Sequence, residues 1–175
     1  MNNLNPAVGI HQLLQDMTRF LAAWLHTQLS LKDEHYWENS VLPCMTYAQS
    51  RYADANRVKS LNALDLAALL RILDHNWHAV TQTANLDYHQ RHYVKAAITV
   101  RNRWSHTTLQ TLDNEMVYRD ADALQCLAEL LGSPPSFVEK VQAFKKQVLH
   151  EIHAPLVSEP PATEISEQPI PLPVP

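Results

Sequence analysis

The chain has 175 residues, 46% hydrophobic and 18% charged, enough apolar material for one domain with a real core and an appendage. Only two residues are glycine, Gly9 and Gly132, and they stand alone; this excludes a glycine-rich phosphate cradle and argues against Rossmann crossovers and hairpin-rich β folds, which use glycine for close approach or positive φ. A formal net charge of −4 argues against a general polyanion-coating role, so any nucleic-acid contact must come from a local patch.

Taken in order, the apolar periodicity predicts helices. The first runs from about Ala7 to Leu29, with Leu13, Leu14, Met17, Leu21, Trp24 and Leu25 on one stripe. A second covers about Glu34 to Tyr52 and must kink or split at Pro43. Asn62 is the expected N-cap of a third, reaching Thr81 with Leu66, Leu69, Leu70, Leu73, Trp77 and Val80 on its core face. After a short link a fourth spans about Tyr88 to Trp104. The segment TTLQTLDNEMVY reads as a polar, turn-like excursion. A fifth helix, Asp120 to Leu131, ends at Gly132, and a sixth starts after Ser133-Pro134-Pro135-Ser136 and reaches about Ile152. Short links between long helices imply antiparallel neighbours, hence an all-α, up-down bundle over residues 1–153.

Seven of the eleven prolines fall between Pro155 and Pro175, in a stretch with Glu159, Glu164 and Glu167 and no basic residue. Residues 154–175 are therefore expected to be a disordered, polyproline-rich tail, leading to further domains or to a partner protein. No apolar run is long enough for a membrane span, and the N-terminus lacks a basic-then-apolar signal. Cys44 and Cys126 make no metal or redox spacing. Together these predict a reducing, cytoplasmic setting without membrane contact.

The acidic chain has one basic segment. From Tyr88 to Leu112 it carries Arg91, Lys95, Arg101 and Arg103 and no acid. Within it lies Arg101-Asn102-Arg103-Trp104-Ser105-His106. An arginine beside a histidine suits RNA phosphodiester chemistry without a metal or other cofactor. The imidazole titrates near neutrality and can take the 2′-OH proton or protonate the leaving 5′-oxygen. The guanidinium is always charged, and its fork matches the phosphorane formed between. Asn102 can hydrogen-bond the phosphate or orient the histidine four residues on. On one continuous helix Arg101 and His106 stand about 140° apart, at 100° per residue. A pair of helices meeting across a dimer axis would bring both residues of each copy to one cleft. From the residues alone, an arginine and a histidine on a solvated helix end fit the same six letters. Arg91, Lys95 and Arg103 are candidate contacts to RNA phosphate, and Trp104 a candidate for base stacking.

The six residues also resemble the R-x4-6-H motif of the HEPN superfamily (higher eukaryotes and prokaryotes nucleotide-binding). Three ordered segments extend the resemblance: LDLAALLRILDHNWHAV, RNRWSH and DADALQCLAELLG. They are similar to the HEPN branch named after the C-terminal domain of a eukaryotic, transcription-linked RNA endonuclease, which also occurs at the N-termini of large bacterial proteins. An early HYWENSV segment resembles that branch's tryptophan-containing stretch, although the Tyr-Gly commonly preceding it is absent. The resemblance implies a bundle that dimerises with its motifs facing each other. It implies metal-independent endoribonuclease activity yielding 2′,3′-cyclic phosphate and 5′-OH ends, in defence or toxin systems. By position, Arg101 is the phosphate-stabilising arginine, Asn102 the polar residue that often follows it, and His106 the catalytic histidine. Some HEPN domains are instead inactive modules that bind RNA or dimerise for an attached ATPase, helicase or nuclease.

A second cluster offers different chemistry. Ten histidines are many for this length, and His75, His78, His89 and His92 form two i, i+3 pairs on either side of a helix turn. Four imidazoles there are a third reading, a metal-binding bundle. Interfacial or solvated histidines explain the same spacing, and that is the preferred reading. Asp74 and Asn76, near the end of the third helix, either face the motif or lie exposed. Trp77 belongs to the core.

Overall fold

The structure is a computed structural model that describes residues 5–57, 59–106 and 113–153, with residue 106 described only by its place in a helix. No strand occurs among the described residues. The expectations for residues 154–175 and for 107–112 lie outside them.

Helix α1, Pro6–Lys32, is the axis of the bundle and packs against four of the helices that follow. The Asn5 side chain accepts from the Ala7 amide at 3.0 Å, and Pro6 occupies the first turn, where its missing N–H costs nothing. Ile10, Leu13, Met17, Leu21 and Leu25 follow helical spacing and are fully buried. Gly9 lies where α1 meets the last helix: a Cβ there would fall 2.2 Å from Phe144 Cε2.

The expected second helix is split, as Pro43 requires. One wide turn, Trp37–Val41, runs into a 3-10 turn, Leu42–Cys44, containing the proline. Helix α2, Tyr47–Ala55, then starts afresh at a capping box between Thr46 and Gln49. The expected third helix is also two. Leu61–Ala63 forms a 3-10 turn, α3 covers Leu66–His75, and α4 covers Trp77–Ala84. The N-cap of α3 is Asp65, whose carboxylate accepts from the Ala68 amide at 2.9 Å; Asn62 does not cap it. Asn76 makes the break, because its amide donates to both Ile72 O and Ser40 O at 2.9 Å, a side-chain grip that competes with continuing the helix.

A 3-10 turn, Tyr88–Gln90, leads into α5, Arg91–His106. Helix α6, Asn114–Leu130, begins six residues before the expected Asp120, capped by Asp113. The polar letters NEMVYR hide a helical turn, since Val117 is buried while Glu115, Met116 and Arg119 face solvent. Gly132, at φ +68°, closes α6 in a Schellman motif: the Ser133 amide donates to Ala128 O and the Gly132 amide to Glu129 O. The chain then reverses into α7, Pro135–His153, which lies along α6.

Two sets of contacts fix the register of α3 against α5. Arg101 reaches Asp65 at the start of α3, and Arg91 reaches Asp74 near its end, so the helices run antiparallel. Their line of contact carries the chain's basic segment.

Candidate active site

Ala67, Leu70, Arg71 and Asp74 of α3 face Ile98, Arg101 and Asn102 of α5 across a cleft of about 210 Å³. That is less than the roughly 300–1,000 Å³ of sites that engulf a small molecule.

Arg101 is the charged group at the upper end of this cleft. Its Nη2 lies 3.3 Å from Asp65 Oδ2 and its Nη1 donates to Asn102 Oδ1 at 3.3 Å. The guanidinium is thus oriented by two acceptors while its side chain stays 29% exposed. The carboxylate that holds it is itself 54% exposed, so the pair is a weak, solvent-screened one that an incoming phosphate can displace.

Asp74 anchors the lower end. It accepts from Arg91 Nε at 2.8 Å and Lys95 Nζ at 2.6 Å, and its side chain is only 17% exposed. Burial pushes its carboxyl upward, but the bonds from Arg91 and Lys95 outweigh that and hold it below the ordinary carboxylate value. Arg91 is shifted upward in turn, chiefly by its bond to Asp74.

The next residues of the motif turn the other way. Arg103 pairs with the carboxylate of Asp120, and Trp104 Nε1 donates to Asp120 Oδ2 at 2.7 Å. Asp120 is one of two buried polar residues among those described. Trp104 is 6% exposed and makes a T-shaped contact with His11 of α1, ring centroids 5.6 Å apart. Its stacking role is therefore corrected: an indole enclosed on α1 and α6 has no free face for a base. Arg103 and Trp104 bolt α5 to α6 and so hold the helix turn that presents Arg101. The Ser105 hydroxyl donates to Arg101 O at 2.8 Å. His106 is the last residue of α5, about 140° around the axis from Arg101 and about 7.5 Å further along it. Its side chain lies outside the described residues.

Among the remaining candidates, Trp77 is core, with Nε1 donating to Tyr88 O at 2.8 Å. His75, His78, His89 and His92 are exposed, and the Tyr88 ring stands edge-on to both His78 and His89. Among the described residues no three His, Cys, Asp or Glu side chains gather as metal ligands. Asp74 lines the cleft, whereas Asn76 is spent on the helix break. Sequence reasoning missed Asp65 and Arg71. Asp65 was legible as an Asp two residues before Ala67-Ala68 at a helix start; Arg71, a lone cation in an apolar helix, carried no comparable signal.

The family model for Swt1-like HEPN domains matches residues 10–132, from the first buried turn of α1 to the glycine that ends α6. The chain belongs to the Swt1-like HEPN family. No curated protein and no solved structure matches it. The matched span holds most of α1, α2 to α6 entire, the α3–α5 cleft and the whole RNRWSH motif of this all-α HEPN bundle. HEPN domains act as ribonucleases or as nucleotide-binding modules, which ties this one to RNA-related chemistry. Within the described residues no helix is long and apolar enough to cross a membrane.

Proposed function

We propose that this HEPN domain is an endoribonuclease that cuts RNA by attack of a 2′-hydroxyl on the adjacent phosphodiester, without a metal ion. The observation that carries the reading is the split orientation of the motif. Arg103 and Trp104 are locked into the bundle, while Arg101 and Asn102 open onto a groove, with the arginine held by a weak, replaceable carboxylate.

In the reaction, the substrate's 2′-oxygen bonds to phosphorus and the P–O5′ bond breaks. The products are a 2′,3′-cyclic phosphate and a 5′-OH. His106 takes the 2′-OH proton and returns one to the departing 5′-oxygen, work suited to a group titrating near neutrality. Arg101 exchanges Asp65 for the phosphate and binds the dianionic phosphorane more strongly than the monoanionic substrate, which is how a fixed cation accelerates the step. Asn102 holds the guanidinium fork in place. Arg91 and Lys95, partly offset by Asp74, add positive charge at the far end of the groove, whereas Arg103 is committed to Asp120.

The 140° between Arg101 and His106 leaves one copy poorly arranged to grip and deprotonate the same nucleotide. We therefore assign the complete site to a homodimer in which two α5 ends face each other and each groove is finished by the partner copy. The acidic, proline-rich residues 154–175 would connect this nuclease to further domains or to a partner in a defence or toxin system.

The test is the product's end chemistry. An RNA carrying a single 2′-deoxynucleotide at a mapped cut should resist cleavage there and be cut normally elsewhere, leaving cyclic-phosphate ends. Cleavage at the deoxy position, or products with 3′-OH ends, would contradict the mechanism. Binding without any cleavage would favour the alternative, a non-catalytic RNA-binding or dimerisation module.

A further inference from the structure

The four cations around the α3–α5 cleft are not equivalent. Arg91 and Lys95 both face Asp74, and Arg101 faces Asp65. Arg71 lines the same cleft and makes no ion pair among the described residues. It is instead held by neutral acceptors: Nη1 donates to Cys44 O at 3.3 Å and to Gln49 Oε1 at 3.2 Å. Both bonds use one nitrogen, so Nε and Nη2 of the fork meet no acceptor among the described residues. Gln49 is itself fixed by the capping box that starts α2, since its Oε1 also accepts from the Thr46 amide at 3.0 Å. The guanidinium is thus aimed and tethered, yet its charge is uncompensated. A purely structural tie between α2 and α3 needs no charge, because a neutral donor would satisfy the same two oxygens.

Arg71 and Arg101 line the same cleft from opposite helices. Arg101 meets α3 at Asp65, six residues before Arg71, which is about 9 Å along a helix. Along α3, Arg71 lies between Asp65 and Asp74, and it shares the lining of the cleft with Arg101.

We propose that Arg71 is a second phosphate subsite, binding the phosphodiester next to the one that is cut. The inference rests on the proposed RNA-cleaving role of the Arg101 cleft and adds its substrate class: a strand with at least two consecutive phosphodiesters, entered as an unpaired chain along α3. Bidentate Arg–phosphate recognition needs two free N–H groups on one edge, which is what Nε and Nη2 supply. A nucleotide or a dinucleoside monophosphate would leave this subsite empty. The longer strand gains one further counterion release, about 0.7 in the slope of log affinity against log salt.

The experiment uses the full chain carrying His106→Ala, so that substrate survives. Its affinity is measured for a short fluorescein-labelled single-stranded RNA by anisotropy, and for a dinucleoside monophosphate by NMR titration. Arg71→Gln should weaken the RNA about tenfold, lower its salt slope by about 0.7, and leave the dinucleoside monophosphate unchanged. Arg71→Lys should retain most of the salt slope, and Gln49→Ala should retain affinity within a few-fold. Arg101→Ala should weaken both ligands. An unchanged RNA affinity in Arg71→Gln would overturn the subsite while leaving the Arg101 cleft intact. Equal losses for both ligands would overturn it too, assigning Arg71 to the scissile phosphate or to folding. Failure of the parent to bind either ligand would remove the subsite and the nuclease reading together. Binding that behaves as expected in a chain that never cleaves RNA would keep the subsite and sink only the catalysis.

Discussion

One oxygen of Asp65 accepts from the Ala68 amide at the start of α3, and the other faces Arg101 across the cleft. The two interactions can be separated, because asparagine caps a helix as well as aspartate but carries no charge. Asp65→Asn should keep the unfolding free energy within about 0.5 kcal/mol, as expected for an exposed pair, and should bind RNA more tightly because a competing anion is gone. Asp65→Ala should lose about 1 kcal/mol through the cap; urea unfolding and RNA titration distinguish the two. Asp120 is the opposite case, a buried carboxylate serving Arg103 and Trp104. Asp120→Ala should cost roughly 3 kcal/mol, the scale for orphaning buried partners of a charged acceptor, and activity should fall with the folded fraction. Asp74 supplies a pH dependence of known sign. Its folded-state value lies below the unfolded one, near 3.9. Its contribution is therefore full above that value and lost as pH falls through the folded-state value. The gap in urea midpoint between the parent and Asp74→Asn should be open at about pH 6 and narrow steadily as the pH falls below about 4.

At the scale of helices, the order of elements was legible because apolar side chains recur at helical spacing and turn residues punctuate them. Gly132 was read from its letter and behaves as read: φ +68° closes a Schellman motif. Gly132→Ala should cost about 1 kcal/mol by forcing an L-residue into that region. Gly9 gave no such signal, since its φ is ordinary and only the arrival of Phe144 from α7 makes a side chain intolerable there. Gly9→Ala should cost roughly 1–3 kcal/mol by overpacking, a loss that trimming Phe144 to leucine partly restores. The places where periodicity misled share a cause. Asn76 interrupts an apolar stripe that continues unbroken from α3 into α4, and the interruption depends on a carbonyl from Ser40, far away in sequence. The first turns of α6 read as polar because they face solvent on most sides.

For the whole molecule, the candidate site was legible as a run of residue types and only partly as geometry. Six consecutive letters singled out Arg101 and Asn102 as candidates, and both line the α3–α5 cleft. They gave no hint that Arg103 and Trp104 turn to Asp120, because helix phase alone does not say which face meets α6. Arg91 and Lys95 were read as a basic patch, but Asp74, on a helix separate in sequence, offsets part of that charge. The expected dimer has its own measurement. Turnover per protomer should rise with protein concentration and level off with the dimer fraction seen by sedimentation, whereas flat turnover across that range would make one copy sufficient. The reaction proposed for Arg101 and His106 together is the cutting of RNA. It is tested most directly by incubating the chain with mixed structured and single-stranded RNA in excess EDTA, beside Arg101→Ala and His106→Ala of matched melting temperature. Internal cleavage by the parent and none by either variant is the expected result. Cleavage surviving in either folded variant, or abolished in the parent by EDTA, would contradict it.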